Sequence, residues 1–304
     1  MAKVNLTEKP QAEEMYMIAG WRQWADAGSV SSTLPRYIID QTNARKIGTL
    51  DADPCYLFQI PGTHDLVRPV IELDEGLPKS LNKHENEIYY IDVNDGKGIV
   101  IFIGDEPHLG AETYANGVLQ IARDLNVQRI VGLGGVYAEL PYDKERPVSM
   151  LFSLPEMRDE FEKYAVSMSN YNGGASIGTV IAYAAQQEGM EYVSFYAFAP
   201  TYNFGQFSET ATGIRIENDF LAWLGVMRRV SYMLGWEFDL SDLEAKAERL
   251  VTVMDEKVDE LEREAPQLDI RAYLEGLAAD FTETVFLPLD DVWEEEVRNL
   301  FDDL

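Results

Sequence analysis

Four short segments carry side chains and glycines whose types and spacing suit chemistry. The first is Gly20-Trp21-Arg22-Gln23-Trp24-Ala25-Asp26-Ala27-Gly28, directly after the apolar run Met15–Ala19. Gly, Asp and Gly at a strand end, feeding Ser29 and a helix, stand where open α/β sheets bind ligands, outside the carboxyl ends of their strands. There Asp26 can cap the helix, orient a ligand hydroxyl or act as a base; capping is the commonest task of an Asp before a helix. Gly104-Asp105-Glu106-Pro107-His108 places two carboxyls and an imidazole within four positions, an arrangement open to acid–base or metal chemistry. In Gly132-Leu133-Gly134-Gly135-Val136-Tyr137 the glycines let a backbone or a phosphate approach closely, and the polar loop after it carries Glu139. Tyr171-Asn172-Gly173-Gly174-Ala175-Ser176 reads either as an anion-binding turn at a helix amino end or as a plain turn capped by Ser176.

Together these segments nominate Trp21, Asp26, Gly28, Glu106, Gly134, Gly135, Tyr137, Glu139, Asn172 and Gly173 as the walls of a pocket at the strand ends. None of them completes a reaction centre. The histidines are His64, His84 and His108, with no H-x-H or H-E-x-x-H pair, so no metal is expected. The glycine spacing fits neither G-x-G-x-x-G nor a phosphate loop with its Lys, and there is no G-x-S-x-G elbow, so no cofactor and no catalytic residue is assigned. The single cysteine, Cys55, lies in an apolar stretch, Cys55–Ile60, that reads as a strand, and its thiol reads as core.

The elements that position these segments follow from hydrophobic periodicity. Met15–Ala19, Arg45–Asp51, Ile88–Val93, Ile99–Ile103, Arg129–Leu133 and Tyr192–Phe198 are short, apolar and rich in β-branched or aromatic residues, as in a sheet covered on both faces. Helical patterns at Glu112–Leu125 and Ser176–Glu188 lie between them. Strand Ile99–Ile103, helix, strand Arg129–Leu133 reads as a βαβ unit with parallel pairing. Pro35 falls inside the pattern Ser29–Gln41, so that helix kinks there or begins near Thr33. The predicted body is a three-layer α/β/α sandwich.

Charge divides the chain. Of its 28 net negative charges, 16 fall in Glu237–Leu304, about fourfold denser than in the first 236 residues. This predicts an α/β domain over 1–236 and an acidic, all-helical extension over 237–304. Ser241-Asp242-Leu243-Glu244 has the pattern of a capping box. Leu243, Ala247, Leu250, Met254, Val258 and Leu261 form one apolar stripe, which Pro266 ends. A helix over Ile270–Phe281 and a last one from Asp291 complete the extension. Its stripe packs on the body, with the acids as a solvated face, or docks on another subunit or partner.

Apolar residues at 46 % and charged residues at 26 % are those of a globular protein. No apolar run reaches the ~18–20 residues of a membrane span, and the first residues lack the basic-then-apolar pattern of a secretory signal, so a soluble cytoplasmic protein is expected. The acidic balance argues against nucleic acid as a partner.

In their order, GWRQWADAG (Gly20–Gly28), ARKIGTLDAD (Ala44–Asp53), GDEP (Gly104–Pro107), VQRIVGLGG with ELP (Val127–Pro141), YNGGASIG (Tyr171–Gly178) and AFAPTY (Ala197–Tyr202) resemble the proteasome assembly chaperone 2 family, in its prokaryotic members of unknown function. The resemblance covers Met15 to Trp236. It implies a sandwich similar to the nucleoside phosphorylase-like fold, a homo-oligomer (a trimer by analogy) and no assigned catalytic activity. Where members of the family often carry Pro-His, this chain has Pro141-Tyr142; where they carry Pro-His-Tyr, it has Pro200-Thr201-Tyr202. The two imidazoles that could serve as general bases are therefore missing. Two functions follow as expectations: a non-enzymatic assembly or scaffold protein holding a partner through its acidic helices, or a small-molecule site with hydrolase- or transferase-like chemistry at the strand ends.

Overall fold

The computed structural model describes residues 2–58, 68–82, 85–93, 96–202 and 214–286. Its centre is four parallel strands: β2 (Glu14–Arg22) lies between β7 (Lys97–Asp105) and β8 (Arg129–Ala138), and β11 (Glu191–Tyr202) lies outside β8. Antiparallel strands extend this core at both edges. On the β7 side come β6 (Glu87–Val93), β3 (Arg45–Asp51) and β1 (Lys3–Leu6). On the β11 side come β9 (Val148–Phe152), with β10 (Ser167–Met168) parallel to it, and the short β12 (Ile214–Arg215). A separate antiparallel pair, β4 (Val70–Asp74) and β5 (Leu77–Asn82), lies outside this sheet.

The apolar runs are continuous because both faces of the sheet are covered. Along β2, Met15, Met17, Ala19 and Trp21 point to one core and Ile18 to the other; along β7, Val100 and Phe102 oppose Ile99, Ile101 and Ile103. This is the period of two that a pleated strand imposes. Helices α2 (Ala111–Asp124) and α3 (Ile177–Glu188) cover the first face. Helices α1 (Leu34–Gln41) and α4 (Phe220–Leu234) cover the second, with Leu243 and Ala247 of α5 (Ser241–Glu264) packed behind α4. Farther along α5, Met254 and Val258 close a smaller core with Tyr142, Tyr202, Ile214, Ile216 and Ile270 of α6 (Ile270–Ala279).

Several expectations need correction. Strands β7 and β8 are parallel and joined through α2, but they do not pair: β2 is inserted between them and takes hydrogen bonds from both. Cys55 ends a 3₁₀ turn, Asp53–Cys55, and Tyr56–Phe58 form no strand; the thiol is buried as expected. The capping box does not form. Asp239 Oδ1, not Glu244, accepts the Ser241 amide at 3.0 Å, and Glu244 instead meets Arg228. Helix α1 begins at Leu34, with Pro35 in its first turn, where a missing N–H costs nothing. The helix expected from Asp291 lies outside the described residues.

Candidate functional site

The carboxyl ends of the parallel strands β2, β7, β8 and β11 lie at one edge of the sheet, and a strained strap runs from β2 over β8 and β11. Residues 22–29 leave β2 with three non-glycine residues at positive φ: Gln23 at 93°, Ala25 at 53° and Ser29 at 53°, alongside Gly28 at 62°. Such positions cost about 1 kcal/mol or more each and persist only where their surroundings hold them. Here the holding contacts are visible. Gly135 N–H donates to Ala25 O at 2.7 Å, and Asp26 bridges to Gly135 like one more residue of a parallel strand. A Cβ on Gly135 would stand 1.9 Å from Ala27 O, so only glycine admits the strap at this distance. Gly28 O accepts from Trp223 Nε1 at 2.8 Å and from Asp219 N at 3.0 Å.

Asp26 caps. Its Oδ1 accepts the amides of Ser31 and Ser32 at 2.9 and 2.8 Å, holding the turn that precedes α1. Burial raises its pKa, and the hydrogen bonds from Ser32 and Ser31 oppose that rise.

The Asp105-Glu106-Pro107-His108 run does not converge. Asp105 is buried and pairs with Arg22 across β7 and β2. His108 Nδ1 accepts the Leu57 amide at 3.0 Å. Glu106 turns toward α3, where its Oε1 accepts the Ile177 amide at 2.8 Å. Its Oε2 is buried and meets no hydrogen-bond partner among the described residues. Burial, only partly countered by the Ile177 N–H, pushes the Glu106 carboxyl up to about 7. Ser176 caps α3 by accepting from Thr179 N, and it shares a hydrogen bond with the Tyr196 hydroxyl at 3.3 Å. Among the described residues no group of three or more His, Cys, Asp or Glu is placed to hold a metal.

Glu106, Trp21, Ser176 and Tyr196 line a cavity of about 10 Å³, with Trp24 and Ala25 of the strap beside them. That is room for about one water, far below the ~300 Å³ at which small-molecule sites begin. Tyr196 also covers Gly134, where a Cβ would stand 2.4 Å from its ring. Of the ten residues nominated from sequence, Trp21, Asp26, Gly28, Glu106, Gly134 and Gly135 thus lie in or against this edge. Tyr137 lies beyond it, half-exposed under the Arg215 guanidinium. Glu139 stands on an open groove of about 510 Å³ shared with Pro141 and with Tyr273, Gly276 and Leu277 of α6. Asn172 and Gly173 sit in an exposed loop.

Sequence reasoning missed the residues that lock the strap. Asp219 caps α4 by accepting Ala222 N, and through its backbone N–H it holds Gly28. Its Oδ2 accepts Arg146 Nε at 2.8 Å, and both side chains are fully buried. Arg146 Nη1 donates to the carbonyls of Pro141 and Lys144 and so fixes the loop after β8. The available signal was Asn218-Asp219 directly before the apolar run of α4.

Comparison with known proteins agrees with this architecture. The chain is similar to the crystal structure of a proteasome-assembly chaperone homologue from Mycobacterium tuberculosis, at 24 % identity and a TM-score of 0.68, covering 80 % of this chain and 94 % of that one. A PAC2 family protein from Streptomyces avermitilis gives 22 %, 0.68, 83 % and 99 % for the same quantities. Pyrococcus furiosus PbaB, an archaeal proteasome activator, gives 17 %, 0.61, 85 % and 98 %. No curated protein matches the chain. The PAC2 family model matches residues 21–258, from the strap through most of α5, and the chain belongs to the PAC2 family.

Proposed function

We propose that this chain is a non-enzymatic, oligomeric docking protein of the assembly-chaperone kind. One observation carries the reading: the strand-end site is closed to a substrate, while apolar side chains stand exposed on the same side of the sheet. The cavity at Glu106 has room for about one water, whereas Trp24, Leu109, Val136 and Tyr137 are 40 to 56 % exposed on the ends and loops of β2, β7 and β8. Aromatic side chains on a rigid frame are what protein interfaces use as anchors. The names of the similar structures, a proteasome-assembly chaperone homologue and a proteasome activator, support a protein as the partner class.

On this reading the body is a sandwich of the nucleoside phosphorylase-like kind, 1–236, that assembles with itself, a trimer by analogy. Residues 237–304 form an acidic extension. Exposed Glu248, Glu256 and Glu260 on α5 give the partner face a negative field suited to a basic surface. A cytoplasmic location fits this role, and no described helix is long and apolar enough to cross a membrane.

The small-molecule reading keeps two observations, the buried and unpartnered Glu106 Oε2 and the open groove of about 510 Å³ at Glu139. Native mass spectrometry of the protein purified gently from its own cells separates the two readings. A protein bound in fixed stoichiometry, and lost in Trp24→Asp, is the expected result. A bound small mass that is lost in Glu106→Gln, with no protein bound, would sink the docking reading.

A further inference from the structure

The segment between β3 and β6 contains several of the most exposed apolar side chains among the described residues. Strands β4 and β5 pair antiparallel around Glu75-Gly76, both at positive φ, the two-residue turn whose twist matches a hairpin. Cross-strand partners share a face, so Ile71 with Leu81 and Leu73 with Pro78 make one face wholly apolar. Lys79 is the extra residue of a bulge between these pairs. The opposite face carries Glu72, which takes Lys79 and Ser80 as partners. On the apolar face Ile71, Leu73 and Leu81 are 54 to 58 % exposed, and Val70 and Leu77 on the reverse are 65 and 72 % exposed. A two-stranded hairpin alone is at best marginally stable in water; it needs more strands or a second layer on its apolar face.

We propose that the β4–β5 hairpin is a self-association arm whose apolar face docks on the same face of a second copy of this chain. Charge selects that occupant. A chain with 28 net negative charges repels its own copies, so contact between copies has to be made where carboxylates are absent. The face formed by Ile71, Leu73, Pro78 and Leu81 carries no ionisable group, and Glu72 on the reverse is matched within its own hairpin. A basic partner would be drawn to the acids of α5, not here. Two identical apolar faces related by a two-fold axis are complementary to each other by construction. Face to face they supply the second layer that each hairpin lacks. Before β4, the Arg68 guanidinium lies 4.9 Å over the exposed Phe58 ring.

The arm rests on the self-association proposed above but not on its trimer, because a two-fold contact closes a dimer, and the test separates the two. Sedimentation velocity over a concentration series compares the full-length wild type with Ile71→Glu, Leu81→Glu and, on the opposite face, Ser80→Ala. Each arm substitution enters a two-fold contact twice and is expected to weaken association on the order of a hundredfold, with Ser80→Ala unchanged. Hydrogen exchange on the same samples reports whether the amides of residues 70–82 gain protection as concentration rises, as the arm requires. A wild type that stays monomeric overturns both the arm and the oligomer. An oligomer untouched by Ile71→Glu and Leu81→Glu overturns the arm alone. Protection of 70–82 that does not depend on concentration also overturns it, because the cover is then the chain's own body or another protein.

Discussion

The strand-end edge and the β4–β5 arm both expose apolar side chains, and they do so on opposite physical terms. At the edge, Trp24 stands on a strap held by Gly135, Asp219 and Trp223, each bound to it by a backbone or side-chain hydrogen bond. That surface is shaped by the chain's own contacts, so the partner proposed above would meet a frame that is already ordered. The arm has a favourable turn and one bulged ladder, and its apolar face is open. Apolar exposure on a pre-set frame suits recognition, whereas exposure on a marginal element suits assembly, in which the contact supplies the missing stability.

The largest effect is expected at the lock of the edge. Asp219→Ala leaves the fully buried Arg146 without its carboxylate and removes the α4 cap, which should cost about 3–5 kcal/mol in chemical denaturation. A loss under about 1 kcal/mol would show that the edge is not held by this pair. Gly135→Ala brings a Cβ against Ala27 O and should cost about 2–4 kcal/mol, lifting the strap and changing Trp24 fluorescence. An unshifted spectrum would break the claim that the strap is fixed by close approach.

Glu106 sharpens the contrast through pH. Its ordinary value of 4.5 is raised to about 7 by burial, so the folded state binds the proton more tightly than the unfolded chain does. Stability from the protonated carboxyl is complete below 4.5 and is lost as pH rises to about 7, by about 2 kcal/mol once partial exposure is discounted. The difference in stability between wild type and Glu106→Gln should therefore grow from pH 4.5 to 7 and level off above. A flat difference would mean that the carboxyl is hydrated.

The smallest effects separate the two regions most cleanly. Gly76→Ala places a side chain at φ 86° in the arm's turn, worth about 1 kcal/mol locally. It should weaken self-association while leaving the melting of the body unchanged. Trp24→Ala should change stability by no more than about 0.5 kcal/mol and should weaken only partner capture. If Trp24→Ala lowers stability as much as Gly135→Ala, the tryptophan is part of the core and the docking surface loses its anchor.

The central strands could be read from sequence because burial on both faces leaves continuous apolar runs, as in Ile99–Ile103, and the ends of α3 because Ser176 and the Gly189 after it follow local capping rules. The arm was legible in principle. Glu75-Gly76 between Val70–Asp74 and Leu77–Asn82 is a hairpin signal, weakened by the Pro78 and Lys79 that interrupt the second strand. The capping box failed because Ser241 had two local carboxylates on offer, and Asp239 was nearer to its amide than Glu244.

By itself the sequence determined what period and charge can encode: the α/β class, the apolar stripe of α5 and its acidic face. Tertiary structure decided which loops meet. It inserted β2 between β7 and β8, turned Asp105, Glu106 and His108 to three different partners, and joined Asp219 to Gly28 across 191 positions of chain. Those outcomes depend on long-range backbone hydrogen bonds and on atoms competing for the same buried space, which local spacing does not record.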